Sequence, residues 1–278
     1  MEYLPHEQKP KAANAGPSSP WALEMIDAKI GSLKDSAQVV LEHVNWAVAP
    51  GDYWVIGGLR ASGKSDFIAT AAGLMRPLEG MLRVFGQELS AGFEEEQLQT
   101  RLLIGLVFDG GRLFNHLTLA ENVLLPIRYH QRLPLQEGLE KTEALLKLIG
   151  LADRATTTPG TLGHNWQQRV GLARALALKP RILLLDNPLV GLDPRDVSWW
   201  LDISDQLSAG HPIVDGHPMT LAATADDLRP WKGHARQFAI LKGKSFLPVN
   251  DPNVAVAADD AWLHQLLGVE LGVEPIKK

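Results

Sequence analysis

The run Gly57-Gly58-Leu59-Arg60-Ala61-Ser62-Gly63-Lys64-Ser65 has the residue types and spacing to hold a string of phosphates. From Gly58 it fits G-x-x-x-x-G-K-[ST], the P-loop pattern. Glycines let backbone N–H groups turn inward, so Gly58, Arg60, Ala61, Ser62 and Gly63 form the candidate cradle. Lys64 brings a point charge to the outer phosphates, and the Ser65 hydroxyl is a candidate Mg²⁺ ligand. Asp66 opens the following run, whose helix N-terminus would face the phosphates. A second run, Arg181-Ile182-Leu183-Leu184-Leu185-Asp186-Asn187-Pro188, is a series of buried-type aliphatics ending in a carboxylate. Such a strand lies inside a parallel sheet and delivers Asp186 at its carboxyl edge, where Mg²⁺ belongs. The P-loop in its strand–loop–helix context predicts ATP or GTP binding; the aliphatic run alone is a common feature, and paired with the P-loop it assigns Asp186 to Mg²⁺.

These side chains need a strand before the loop and a helix after it. Tyr53-Trp54-Val55-Ile56 reads as the strand and Asp66 to Leu74 as the helix. Residues 1–20, rich in Pro, Ala, Ser and Lys without apolar periodicity, read as a mobile tail. Alternation in Val39–Val48 predicts antiparallel strands between residues 21 and 48. Met81–Phe85, Ile104–Phe108, Arg181–Leu185 and Met219–Ala223 read as further strands, and Phe93–Arg101 as an acidic helix. Leu and Ala spacing makes residues 113–178 mostly helical, broken at Thr156-Thr157-Thr158-Pro159-Gly160. Residues 21–250 therefore form one nucleotide-binding domain, with 113–178 as a helical subdomain. Residues 251–278 are an extension in which Trp262, Leu263, Leu266 and Leu267 make an apolar helical stripe, packed on its own domain or reaching a second subunit.

Bulk composition narrows the setting. A chain of 278 residues that is 45% hydrophobic and 21% charged can bury a real core. Its net charge of −5 gives no reason to expect nucleic-acid binding. The absence of cysteine excludes disulfides and Cys-based zinc sites. No apolar run approaches membrane-span length and the start lacks a signal-peptide pattern, so the expectation is a soluble chain that serves a membrane, if at all, from its surface. His43, His116, His130 and His211 have no metal-ligand spacing, leaving Mg²⁺ as the expected metal.

The order of the motifs carries a family resemblance. After the P-loop come Val107-Phe108, a helical insert, the helix Gln167-Gln168-Arg169-Val170-Gly171-Leu172-Ala173-Arg174-Ala175-Leu176-Ala177, the Asp186 strand, and Gly191-Leu192-Asp193-Pro194. Over roughly residues 28–247 this resembles the nucleotide-binding subunit of ABC transporters. The resemblance implies an α/β fold: a RecA-like P-loop NTPase core with an antiparallel β subdomain and an inserted helical subdomain. It implies ATP and Mg²⁺ as cofactors. The implied partners are transmembrane permease subunits and a second ATP-binding subunit, in a homodimer or heterodimer. The implied location is cytoplasmic, peripheral on the inner face of the cell membrane. Within the family, Leu113-Phe114-Asn115-His116-Leu117-Thr118-Leu119-Ala120-Glu121-Asn122-Val123, followed by Leu125-Pro126-Ile127-Arg128, is most similar to ATPases of MCE-linked lipid transporters of the Mla type.

Four departures from the family pattern bear on the chemistry. Asp109 stands where the family has a glutamine that bridges Mg²⁺ and the partner-facing surface; its carboxylate retains the capacity to ligate a cation. Leu162-Gly163-His164-Asn165-Trp166 stands where the family has Leu-Ser-Gly-Gly-Gln, so His164 and Asn165 either crowd the other subunit's phosphate or bond it themselves. Asn187 occupies the position of the presumed general base, a glutamate, and an amide cannot take a proton from water. Ala225, between Thr224 and Asp226, occupies the position of the switch histidine, unless the register slips towards His217 or His234. The usual adenine-stacking aromatic is also missing between Lys29 and Gln38.

In the family each ATP is sandwiched between one chain's P-loop and the other's signature. Here the altered base and the altered signature share one chain, so a homodimer has two defective sites and a heterodimer two imperfect ones. The expectation is a subunit that binds Mg-ATP with impaired hydrolysis and uses it structurally or as a regulator. Two alternatives stay open: a competent ATPase with unusual groups such as Asp109 as base, and a soluble ABC-type regulator without a membrane partner.

Overall fold

The structure, a computed structural model, describes residues 20–35, 37–89, 95–131 and 133–249. Residues 1–19 of the expected tail, and the 251–278 extension with its Trp262 stripe, lie outside the described residues.

The first two strands are β1 (Leu23–Gly31) and β2 (Val39–Val48), paired antiparallel as their alternation predicts. Next come β3 (Tyr53–Gly58) and the helix α1 (Lys64–Ala71). The helix begins two residues earlier than Asp66, because Gly63 at φ 91° reverses the chain directly into Lys64. Strands β4 (Glu79–Val84) and β5 (Gln87–Glu88) complete a four-stranded antiparallel sheet in the order β2-β1-β4-β5.

After α2 (Glu95–Arg101) and β6 (Ile104–Val107) the chain enters the helical subdomain. It comprises α3 (Leu119–His130), α4 (Leu135–Leu148) and α5 (His164–Leu176), with two short 3₁₀ turns where the Thr/Pro/Gly break stands. Thr118 and Glu121 form a capping box at the start of α3. The fully buried Asn122 side chain receives the Phe114 N–H and donates to the carbonyls of Phe114, Leu117 and Thr118. Local structure thus accounts for these three residues of the segment that carries the lipid-transporter likeness.

The remaining elements are β7 (Ile182–Leu185), α6 (Pro194–Ala209), β8 (Thr220–Ala225), β9 (Gln237–Lys242) and β10 (Ser245–Val249). They build a second sheet in the order β10-β9-β3-β8-β7-β6, parallel except for β10. The sequence reading does not reach β9 and β10, which lack a distinctive pattern beyond a short apolar stretch. In β7, Leu183 and Leu185 join the core on the helical side, while Ile182 and Leu184 join the core under the antiparallel sheet. An unbroken aliphatic strand buried on both faces is what a central parallel position demands. Phe67 of α1 stacks on Phe246 (centroids 5.4 Å apart) and lies 5.0 Å from Trp46, fixing the P-loop helix against β2 and β10.

Candidate nucleotide-binding site

Parallel strands put their carboxyl ends on one edge, and this places together residues far apart in sequence. Gly57 of β3 lies beside Ala225 of β8, Ala223 of β8 beside Leu185 of β7, and Leu185 beside Val107 of β6. The residues that follow these ends, the P-loop, Asp226, Asp186-Asn187 and Asp109, therefore meet. They line a cleft of about 820 Å³ that includes Arg60, Ala61, Gly63, Lys64, Ser65 and Asp66. Every residue expected to hold nucleotide lines it except Gly58 and Ser62, which shape the loop. A side chain at Gly58 would collide with Ser62.

Lys64 is buried, and its ammonium donates to the carbonyls of Gly58 and Leu59, both at 2.7 Å. It also pairs with the Asp226 carboxylate at 2.9 Å. Asp66 accepts the Leu33 N–H at 2.6 Å, tying α1 to the end of β1.

Asp186 is 3% exposed. Its Oδ1 accepts from the Ser65 hydroxyl at 3.2 Å and from the Thr224 hydroxyl at 3.1 Å. Thr224 in turn receives the Asn187 N–H at 3.0 Å, and Gln168 Nε2 donates to the Asp186 carbonyl at 3.2 Å. Burial pushes the Asp186 carboxyl above the usual carboxylate range, and the two hydroxyl bonds pull it back in part. A buried carboxylate beside a hydroxyl, with Asp109 lining the same cleft, is a set of hard oxygens that suits Mg²⁺. The residues fit the ion the P-loop pattern implies.

The positions where the family resemblance expects hydrolytic groups are built differently. Ala225 is the last residue of β8 and is 3% exposed. Among the described residues no histidine lines the cleft: His217 precedes β8, and His234 pairs with Asp205 at 2.7 Å. Asn187 lines the cleft from a left-handed backbone, φ 50°. At the signature position His164 opens α5 and pairs with Asp109 of the same chain at 3.0 Å. Asn165 Oδ1 accepts from the Trp200 indole at 3.1 Å, so that oxygen is committed within the chain. The buried Arg169 guanidinium lies 4.5 Å from the Trp166 ring centroid and 3.7 Å from that of Trp199, and bonds Asp196 at 2.6 Å. The Trp199-Trp200 pair therefore covers the sheet and braces α5, with Trp200 fully buried.

The Asp109 loop is strapped to the same helix. Gly111 and Gly171 approach so closely that a Cβ on Gly171 would lie 2.8 Å from the Gly111 Cα. Arg174 donates to the carbonyls of Gly111 and Arg112 at 2.7 and 3.0 Å.

Sequence reasoning missed Asp226 and Thr224, which it used only to mark register, and Gln168, which it read as part of a helix. The nearest signal was their position, flanking Ala225 or following the signature. On the side where a base is expected, Ser32, Leu33, Lys34, Gln38 and Val40 line the cleft, with no aromatic there among the described residues. A separate groove of about 580 Å³ runs between β6 and the helical subdomain, past Arg101, Phe114, Leu125, Tyr129 and Arg174. Tyr129 is 77% exposed there. Among the described residues no helix is long and apolar enough to cross a membrane.

The family model described as ABC transporter matches residues 41–190. The methionine import ATP-binding protein MetN of Lacticaseibacillus paracasei is 35% identical over 187 residues, covering 67% of this chain and 52% of that protein. The probable ribonucleotide transport ATP-binding protein mkl of Mycobacterium tuberculosis is 32% identical over 192 residues, covering 68% and 53%. The chain thus spans about half the length of these curated relatives. The solved dimer of the ATP-binding cassette MJ0796, bound to ADP and Pi, superposes with a TM-score of 0.71 at 26% identity, over 80% of this chain and 95% of that one. A family match across more than half of its length, on a sheet of the same architecture, shows that the chain belongs to the ABC transporter family, in the part that forms the ATP-binding cassette.

Proposed function

We propose that the chain binds Mg-ATP in the P-loop cleft as the ATP-binding subunit of an ABC transporter complex, with slow or absent hydrolysis. The observation that carries this reading is a contrast between neighbours: Lys64, Ser65 and Asp186 line the cleft in an arrangement that suits phosphate and Mg²⁺, while Asn187 in the cleft and Ala225 at the end of β8 stand where a base and a switch histidine are expected. Mg²⁺, held by Ser65 and Asp186, would neutralise phosphate charge. Lys64 would bind the outer phosphates, and the Asn187 amide would orient water without accepting its proton. Loss of a positioned base typically costs about 10²–10⁴ in rate. A nucleotide held without being split stabilises whatever closed assembly it bridges, so ATP serves as a structural or regulatory ligand.

The partners in this reading are permease subunits, seated on the groove beside Tyr129, and a second ATP-binding subunit. The protein is peripheral on the cytoplasmic face of the membrane. The likeness of residues 113–128 to Mla-type ATPases favours lipid transport, whereas the names of the relatives point to methionine or ribonucleotides. A second reading, a competent ATPase using Asp109 as base, draws on the place of Asp109 in the cleft. Substituting Asp109→Asn separates the two, because only the second predicts lost turnover. The primary test is Mg-ATP binding and hydrolysis by the chain, alone and with co-purifying membrane subunits, beside Lys64→Ala. Micromolar binding lost in the control, with negligible turnover, supports the first reading; brisk turnover abolished in the control overturns it.

A further inference from the structure

The P-loop lysine has an anionic partner within its own chain. The Lys64 ammonium, held by two loop carbonyls, points its remaining donor at the Asp226 carboxylate 2.9 Å away. An ammonium has three donors, so these three acceptors saturate it. Asp226 immediately follows β8, beside the β3 end from which the P-loop springs, and its side chain is 29% exposed at the cleft. A carboxylate oxygen bonded to this lysine occupies the place that an outer phosphate oxygen would take. We infer that Asp226 is an internal competitor for Lys64, which an incoming nucleotide must displace and which sets the affinity of the site.

Two costs follow from the geometry. Binding forfeits the Lys64–Asp226 pair, and the released carboxylate then faces a polyphosphate of like charge across the same cleft. Among the described residues no histidine lines the cleft to compensate for it, Ala225 being the residue before it. The pair is partly shielded, so its loss weighs more than that of an open surface ion pair and less than that of a fully buried one. The occupancy of the site therefore responds to nucleotide level at higher concentrations than the same P-loop would without Asp226.

This inference rests on the nucleotide reading above, and the test separates the two. Mg-ATP affinity is measured by equilibrium binding on the full chain, wild type beside Asp226→Asn and Asp226→Ser, with thermal unfolding followed for each. The inference predicts that both variants bind Mg-ATP roughly three- to tenfold more tightly. It also predicts a larger rise in unfolding temperature on adding nucleotide than in the wild type. Two variants guard against a local fault in either one. Wild-type binding with unchanged or weakened binding in the folded variants overturns the inference alone, since Asp226 would then be neutral or supportive. A wild-type chain that binds no Mg-ATP overturns the nucleotide reading and the inference with it.

Discussion

The P-loop cleft and the signature helix differ in what their side chains face. Lys64, Ser65 and Asp186 line the cleft, where phosphate and Mg²⁺ are expected, and Thr224 bonds Asp186 from behind. At the start of α5, which does not line the cleft, Asn165, Trp166 and Arg169 are turned onto α6, and His164 is paired with Asp109 of its own chain. The cleft presents polar groups to a ligand; the signature segment commits them to the fold. Binding needs only the cleft, so it can persist while the signature segment is absorbed into internal packing.

The largest expected effect tests the ligand-facing side. Lys64→Ala should weaken Mg-ATP binding by more than about a hundredfold, because it removes the charged donor to the outer phosphates. Equilibrium binding measures it, and near-wild-type affinity would break the contrast at its strongest point. The next variant supplies the two expected hydrolytic groups. The double substitution Asn187→Glu with Ala225→His should raise the steady-state hydrolysis rate about ten- to a hundredfold, and Asn187→Glu alone by less, since members of a catalytic unit do not act additively. No gain in the double variant would mean that the signature segment, not the base, limits turnover.

A smaller effect sharpens the view that the signature helix is braced by α6. Arg169→Ala removes the guanidinium between Trp166 and Trp199 and leaves Asp196 without its partner. It should cost about 2 kcal/mol of stability, read from denaturant midpoints. Nucleotide affinity of the isolated chain should stay within a few-fold of wild type, because Arg169 does not line the cleft.

The smallest effect concerns Asp186 in the nucleotide-free chain. Its carboxyl titrates higher in the folded chain than in the unfolded one, mainly because it is buried. Stability from that difference is present below the unfolded pKa and is lost as pH rises through the folded one, so near neutrality the ionised group is a net cost. Asp186→Asn should therefore raise the unfolding temperature of the nucleotide-free protein modestly at pH 7 and not at pH 3, while abolishing the Mg²⁺ requirement for ATP binding. A lower unfolding temperature at pH 7 would show that the bonds from Ser65 and Thr224 outweigh burial.

Much of the site is legible in the chain itself, for a definite reason. The P-loop works through backbone geometry, and backbone geometry is dictated locally: Gly63 must reach φ 91° and Gly58 must leave room for Ser62. The aliphatic run before Asp186 likewise states its own environment, since only a strand buried on both faces has use for Ile182 through Leu185. These local demands determined the α/β class, the candidate phosphate cradle and the carboxylate expected to hold magnesium. The absence of side-chain chemistry at Asn187 and Ala225 is equally a matter of residue type.

Tertiary structure alone decided which partners the remaining groups take. Asp226 reads in the chain as a charged residue after a strand; only the β3–β8 register brings its carboxylate to Lys64, 162 positions away in sequence as the two numbers show. Thr224 becomes a support for Asp186 and Asn187 because β7 and β8 are neighbours in the sheet. Asn165 is expected at another subunit's phosphate and Arg169 only within a helix, until α6 folds back and supplies Trp200, Trp199 and Asp196. A residue's chemistry is carried by its own atoms, but its assignment to ligand or to fold depends on what the chain places opposite it, and that follows from long-range packing that no short stretch encodes.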